Sequence, residues 1–391
     1  MNLPGIKGGY AFARNPIILQ ETWPPEASDR LGGVFSVEIN QEEIYSGRFY
    51  PPLDIDISEI VDANMKFFPE PPEDSTDPVI TLENSAAFAR RECCFKCEYD
   101  QLRSYAEFIA IPGGISRQNY KRLLALDQDA FSTRFLNPGS NFFLSTRTAG
   151  WCLVIKETEL FPLCFIVGKE TGQWFITDHV SRHRLTLASL PKGVYALDIK
   201  ALRRKFMENY SVIPSVFDVH LGGHYSCRIV VGKCEPAKER YRLKFRNSLG
   251  VFELIELTGE LSFAPDYSGS NESTFCRYNP ITGSFYTDRE RVERRQTVTI
   301  ETGVKNPDEV RFLMDMLGSE EVYLLDATPE PCKVIPSVEN FTYRLRPEAP
   351  QKYTLKLVMA DSETNIMQDI FDGKEGVKPG IFSKHFSKQF N

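Results

Sequence analysis

The sequence predicts a mainly β protein: tandem β-sandwich domains followed by a β-barrel-like or sandwich domain with one flanking α-helix. Three observations carry this. Short runs that alternate apolar and polar residues recur along the chain, and a period of two belongs to strands. Twenty-eight Phe, sixteen Tyr and twenty-five Pro favour short aromatic strands and frequent turns over long helices. At 391 residues the chain exceeds one ordinary core, and domains of about 100–200 residues give two or three of them. The expected domains are 1–115, an N-terminal sandwich, 116–236, a second sandwich with a leading helix, and 237–391, the barrel-like unit.

In the first segment, residues 16–19, 34–39 and 44–50 read as strands, with Asn40-Gln41 as the turn between the last two. "DIDISEIVDAN" (54–64) predicts one short helical turn opened by Asp56. The Pro- and acid-rich stretch 69–78, "PEPPEDSTDP", is a loop that packs no core of its own. Residues 106–111 form the closing strand, stopped by Pro112-Gly113-Gly114.

In the second segment, Ser116 is the N-cap of a helix whose rhythm is Tyr120, Leu123, Leu124 and Leu126. Strands are expected at 151–155, 163–167, 174–177 and 183–187. "LDIKALRRKF" (197–206) then repeats the form of "IDISEIVDAN" (55–64): apolar, Asp, Ile, two variable residues, apolar. Each copy follows a strand and precedes a terminal strand, so the two segments read as related sandwiches with one helical crossing each.

The third segment opens on "RYRLKFRNSLGVFELIELTGE" (240–260), a hairpin with Tyr241, Leu243 and Phe245 on one side of its first strand and Arg240, Arg242, Lys244 and Arg246 on the other. The favoured reading pairs those cations with Glu253 and Glu256 across the hairpin; the other has them face an acidic neighbour in an assembly. Strands follow at 295–303, 321–326, 332–338, 340–346 and 351–359. Between them lies the clearest helix, 306–317, capped by Asn306, with Pro307 at the first position and Val310, Leu313, Met314 and Leu317 on one face.

Chemistry is harder to find. The net charge of −7 argues against broad nucleic-acid affinity. No run of eighteen apolar residues and no secretory signal is visible, so no membrane insertion is expected and synthesis in a cytoplasm is the default. Nine cysteines, an odd count, read as reduced thiols. Cys94 and Cys97 have zinc-knuckle spacing, but the nearest second pair, Cys227 and Cys234, is wrongly spaced, so no metal is assigned. His179 with His183, and His220 with His224, lack the remaining ligands of a metal site. Trp151 and Trp174 are candidates to stack on a sugar, although burial between sheets is the commoner use of Trp. Asp54 and Asp56 illustrate carboxylates that sequence alone cannot pair at catalytic distance. No phosphate loop or nucleophile elbow occurs. No catalytic, cofactor-binding or metal-binding residue is nominated, and a β-rich hydrolase ranks last.

The third segment, "TVTIETG … NPDEVRFLMDMLGSEEVYLLD … ENFTYRLR … QKYTLKLVMAD", resembles the strand–helix–strand–strand rhythm of the split-barrel subunits in phage tails, such as distal tail and tail-tube proteins. The whole chain is similar to phage or prophage structural proteins of gut bacteria, through "NPIILQ", "IDISEIV", "ETELFPLCFIV" and "FRNSLGVFEL". Here the barrel-like unit comes last, whereas ring-forming tail proteins place it first. The resemblance implies a non-enzymatic virion component of a tail or baseplate. Its partners would be other tail subunits and further copies of itself, met through sheet edges, long loops and termini. The alternative is a carbohydrate-recognising adhesin or receptor-binding subunit, whose partner is a glycan.

Overall fold

The computed structural model describes residues 3–22, 32–50, 52–99, 102–127, 131, 135–136, 143–147, 152–221, 224–234, 236–266, 274–289, 294–327, 330–337 and 351–363. Among the described residues the fold is mainly β, as expected.

The first unit contains β1 (Tyr10–Phe12), β2 (Ile18–Glu21), β3 (Gly33–Ile39), β4 (Glu42–Phe49), β5 (Leu53–Asp56), α1 (Ser58–Asn64), β6 (Val79–Glu83), α2 (Ser85–Ala89), β7 (Glu92–Tyr99) and β8 (Leu102–Ile111). Five strands form a sheet in the order β1-β8-β7-β3-β4, and β2 pairs with β5 in a second layer. Asn40 and Gln41 both hold positive φ, 53° and 66°, the left-handed pair that lets a two-residue turn follow the strand twist. Alternation places Phe35, Val37, Phe95, Cys97 and Phe108 on the inner face, against Leu19, Ile57 and Val61 of the second layer.

The second unit contains α3 (Arg117–Ala125), β9 (Cys152–Lys156), β10 (Leu163–Val167), β11 (Trp174–Asp178), β12 (Arg184–Leu187), β13 (Gly193–Leu197), α4 (Ile199–Tyr210), β14 (Val216–Leu221) and β15 (His224–Gly232). Ser116 Oγ accepts the Asn119 amide at the start of α3, as its sequence predicts. The large sheet runs β12-β11-β14-β15-β9, with β10 and β13 paired opposite it. Trp174, Ile176, Phe217, Val219 and Ile229 face Phe165, Tyr195, Leu202 and Phe206 across this core.

The two sheets repeat one topology. β1 runs parallel to β8, and β9 runs parallel to β15, so in both units the first strand closes on the last. β8-β7-β3-β4 corresponds to β15-β14-β11-β12, and the pair β2-β5 corresponds to β10-β13. α1 follows β5 as α4 follows β13. The short sequence echo thus marks a repeated connectivity, although α4 is longer than the single turn expected. β6 and α2 have no counterpart in the second unit. β6 pairs with β13 rather than with a strand of its own unit, so segment 1–115 contributes a strand to the sheet of segment 116–236.

The third unit contains β16 (Tyr241–Arg246), β17 (Phe252–Leu257), β18 (Leu261–Asp266), β19 (Thr274–Asn279), β20 (Ser284–Arg289), β21 (Arg294–Lys305), α5 (Pro307–Leu317), β22 (Val322–Leu324), β23 (Cys332–Ser337) and β24 (Gln351–Glu363). Seven strands form a sheet in the order β17-β16-β22-β23-β24-β21-β18. The sheet curls until Thr258 N donates to Thr302 O at 3.4 Å. No ladder closes it into a barrel among the described residues. α5 starts on a reciprocal cap: Asn306 Oδ1 accepts the Asp308 and Glu309 amides at 3.0 and 2.9 Å, and Glu309 Oε2 accepts the Asn306 amide at 2.9 Å. Val310, Leu313 and Leu317 pack under the sheet as their spacing predicts, together with Phe312 and Met316. Met314 is 39 % exposed and does not belong to that face. The expected strand 340–346 and the tail from residue 364 lie outside the described residues.

The units share a core. Phe12, Phe88 and Ile111 of the first, Leu123, Cys164, Ile166 and Ala196 of the second, and Leu249 and Val251 of the third form one buried cluster. At its rim, Gly114 N donates to Ser248 O at 2.7 Å. Gly113 holds φ +84°, and a Cβ there would sit 2.4 Å from Ser248 O. The Pro112-Gly113-Gly114 stop therefore seats the β16–β17 turn as well as ending β8.

Candidate functional site

The basic side of β16 is neutralised, chiefly by groups outside its own hairpin. Arg240 Nε lies 2.5 Å from Glu256 Oε1, the one cross-hairpin pair of those expected. Arg242 instead forks onto Asp326, with Nε 2.8 Å from Oδ2 and Nη2 2.7 Å from Oδ1. Lys244 reaches Glu70 of the acid-rich loop at 2.6 Å, and Arg246 binds Glu321. The expectation for Glu253 is corrected. It stands opposite Phe245 in the ladder, on the face away from the cations, because Glu253 and Glu256 lie three apart on one strand and point to opposite sides. Ser145 and Arg147 of the second unit cover it there.

That covering contact is a charged joint. Arg147 Nη1 donates to Glu159 Oε2 at 2.6 Å, and its guanidinium also binds Leu254 O. Its Nε lies 3.6 Å from Glu253 Oε1, and its plane rests 4.2 Å over the Phe312 ring. Glu253 further accepts Ser145 Oγ at 2.6 Å and Asn247 Nδ2 at 2.7 Å. Burial pushes the Glu253 carboxyl up, only partly countered by Arg147 and these donors. Burial acts on Glu159 too, but there Arg147, the Glu256 amide and Lys305 outweigh it and hold the carboxyl below its ordinary range. Two carboxylates with opposed shifts beside one cation suggest acid–base work. The adjoining cavity, lined by Ser145, Glu159 and Glu253, holds only about 10 Å³, about one water. The cluster fastens the second unit to the third. Lys156, 2.6 Å from Glu309 at the start of α5, adds an ion pair to the same seam.

A larger cleft of about 410 Å³ lies between the first and third units, lined among others by Arg14, Arg246, Asp315 and Glu320. Its cations are already matched, Arg14 with Glu320 at 3.0 Å and Arg246 with Glu321.

The residues considered from sequence do not converge. Cys94 and Cys97 lie three apart on β7 and so point to opposite faces of the sheet. Burial raises the Cys97 thiol to about 11 and those of Cys93, Cys164 and Cys227 to about 12, which makes them poor nucleophiles. Cys234 lies beyond β15. His179 Nδ1 is 2.7 Å from Asp218, whereas His183 stacks on Tyr210 at 4.4 Å between centroids. His220 stacks on Phe175 at 4.6 Å. Backbone pairing sets Leu221 opposite His224, so this stretch is a hairpin. Asp54 accepts Gln20 Nε2 at 3.4 Å, and Asp56 accepts the Ile17 and Ser58 amides at 3.0 and 2.9 Å. Trp174 is fully buried and donates its indole N–H to Ala188 O at 3.0 Å, so no sugar reaches it. Trp151 lies outside the described residues.

The surface feature that sequence reading missed is the hairpin β19–β20. Its strands pair only with each other among the described residues. Asn279 Oδ1 accepts the Ile281 and Thr282 amides at 2.9 and 3.4 Å and shapes the tip. Tyr278, Ile281, Phe285 and Tyr286 are 55, 93, 72 and 44 % exposed. The available signal was "RYNPITGSFY", two aromatic runs about an Asn-Pro and a Gly.

Compared with family models and with curated proteins, the chain matches none. Among the described residues, no helix is long and apolar enough to cross a membrane.

Proposed function

We propose that the chain is a structural subunit of a phage or prophage tail or baseplate, working by subunit–subunit contact rather than by catalysis. One observation carries the reading: the exposed apolar residues of β19–β20. A two-stranded ribbon is marginally stable alone in water, and four large apolar side chains on it form a surface that association would cover. The sealed joints between units support the same reading, since they make a stiff body on which a projecting ribbon is held in register. Symmetric packing of copies supplies the partner surface, and virion localisation follows from that role.

Sedimentation and electron microscopy of the purified full chain test it. Concentration-dependent oligomers or rings are expected. A chain that stays monomeric at high concentration, alone and with proteins encoded beside it, would overturn the reading.

A further inference from the structure

The duplicated units differ on their outer sheet faces. On the second unit that face is covered by its own side chains. The Arg184 guanidinium lies 3.4 Å from the Phe175 ring centre, Phe175 stacks on His220, and Asp218 ties Arg228 at 2.7 Å. On the first unit the same face is an open groove of about 660 Å³ over β3, β7 and β8. It continues into a second hollow of about 540 Å³ that shares Cys94, Lys96 and Glu107. Val34 and Tyr105 stand in the groove 50 and 71 % exposed.

Its charge is unbalanced. Lys96 binds Glu38, and Arg103 lies 3.2 Å from Glu98. Glu43, Glu92 and Glu107 also line the two hollows and have no ion pair among the described residues; Arg90 is the remaining cation. The face thus offers apolar footholds inside a net negative rim.

The chain carries a segment of complementary chemistry. Residues 376–391, "GVKPGIFSKHFSKQFN", repeat Phe382, Phe386 and Phe390 every four residues. They hold Lys378, Lys384 and Lys388 and no acidic side chain. We infer that this segment of one copy docks in the first-unit groove of a neighbouring copy, its Phe side chains meeting Val34 and Tyr105 and its lysines meeting Glu43, Glu92 and Glu107. The inference rests on the assembly reading above. The assembly reading selects a neighbour over the same copy; residues 364–375 span about 40 Å when fully extended, so crosslinking decides between the two. In the third-unit ladders, Ser248 and Lys305 lie at the end of the sheet where the other units attach, and Glu363 pairs with Arg294 at the opposite end of β21. Twelve residues of β21 put that exit about 40 Å along the strand from the joint, at roughly 3.4 Å per residue.

The test uses the full chain, a chain ending at residue 375, and a labelled peptide of residues 376–391. The peptide is expected to bind the shortened chain, more weakly as salt rises. Binding should fall at least tenfold with Glu43→Lys plus Glu107→Lys, and likewise with a Lys384→Glu, Lys388→Glu peptide. A photo-crosslinker at position 386 in a mixture of isotopically light and heavy full chains should give light–heavy crosslinks to the groove. Peptide that does not bind, or binds the charge-reversed chain equally, overturns the inference, as do crosslinks confined to one copy. A groove that takes a neutral oligosaccharide and ignores the peptide also overturns it. If shortened and full chains oligomerise alike, the tail proposal falls and the assembly reading stands. A monomeric full chain whose isolated peptide still binds the groove sinks the assembly reading and leaves the groove's chemistry intact.

Discussion

Asp56 and Asp198 hold the same place in two copies of one topology. Each carboxylate accepts the amide two residues on, Ser58 at 2.9 Å and Lys200 at 2.8 Å. Asp198 is the N-cap of its helix, whereas Asp56 stands one residue before the Ile57 N-cap and also accepts the Ile17 amide at 3.0 Å. Asp198 takes the Ala201 amide as well, at 3.2 Å. Losing such a contact leaves helix-start donors unsatisfied. Asp198→Ala and Asp56→Ala should each cost about 1 kcal/mol of unfolding free energy, read as a lower urea midpoint with unchanged slope.

Removing the cation of the buried joint should be far more damaging. Arg147→Met removes the ion-pair partner of Glu159 and Glu253, leaving Glu253 with no cation among the described residues and Glu159 with only the nearby Lys305, and should cost about 3–5 kcal/mol. Adding Glu159→Gln and Glu253→Gln to Arg147→Met should recover part of that loss. If Arg147→Met alone unfolds at the wild-type denaturant midpoint, the joint does not hold the units together.

Acid stability should report on Asp218. Burial raises its carboxyl, but hydrogen bonds from Arg228 and His179 outweigh burial and hold it below the ordinary range. A depressed folded-state pKa contributes stability that is present above the unfolded value of about 3.9 and is lost as pH falls through the folded value. Asp218→Asn should therefore be less stable near neutrality and show a flatter acid limb below about pH 4 in thermal melts.

Gly113→Ala tests the contact that seats the third unit on the first. The positive φ and the 2.4 Å approach to Ser248 O both oppose a Cβ. The substitution should cost more than about 1 kcal/mol and speed proteolysis near residues 247–250, detected by mass spectrometry of timed digests.

The ribbon should separate association from folding. Ile281→Asp with Phe285→Ser changes side chains exposed to water, so the melting of the monomer should shift by no more than about 0.5 kcal/mol. Association measured by sedimentation should fall sharply. Unchanged association would remove β19–β20 as an interface.

What was legible in the sequence was local. The Asn306 cap, the Asn40-Gln41 turn and the Asp-Ile echo are set by residues within a few positions, and each falls in place. The helix face was read one position wrong at Met314, because packing against a curled sheet selected Met316 and Phe312. Partners far along the chain were not legible. Arg147 meets Leu254 across 107 positions, and Lys244 meets Glu70 across 174, so no spacing rule reveals them. Glu253 was read as a partner of the β16 cations although it stands three residues from Glu256 and so on the opposite face of β17. The candidate contact ribbon went unread because its strands are exposed on both sides and so lack the polar alternation that marks a half-buried strand.

The placement of β6 bears on how the polypeptide matures during synthesis. Residues 79–83 find their ladder partner only at residues 194–197, and β1 must wait for β8. A nascent chain released at residue 115 would carry a strand with no sheet to join. The opening segment therefore completes its structure only after the ribosome has made most of the second unit, and such distant pairings slow folding. Ribosome-stalled intermediates should gain protease resistance near residue 200 plus the length of the exit tunnel, rather than near residue 115.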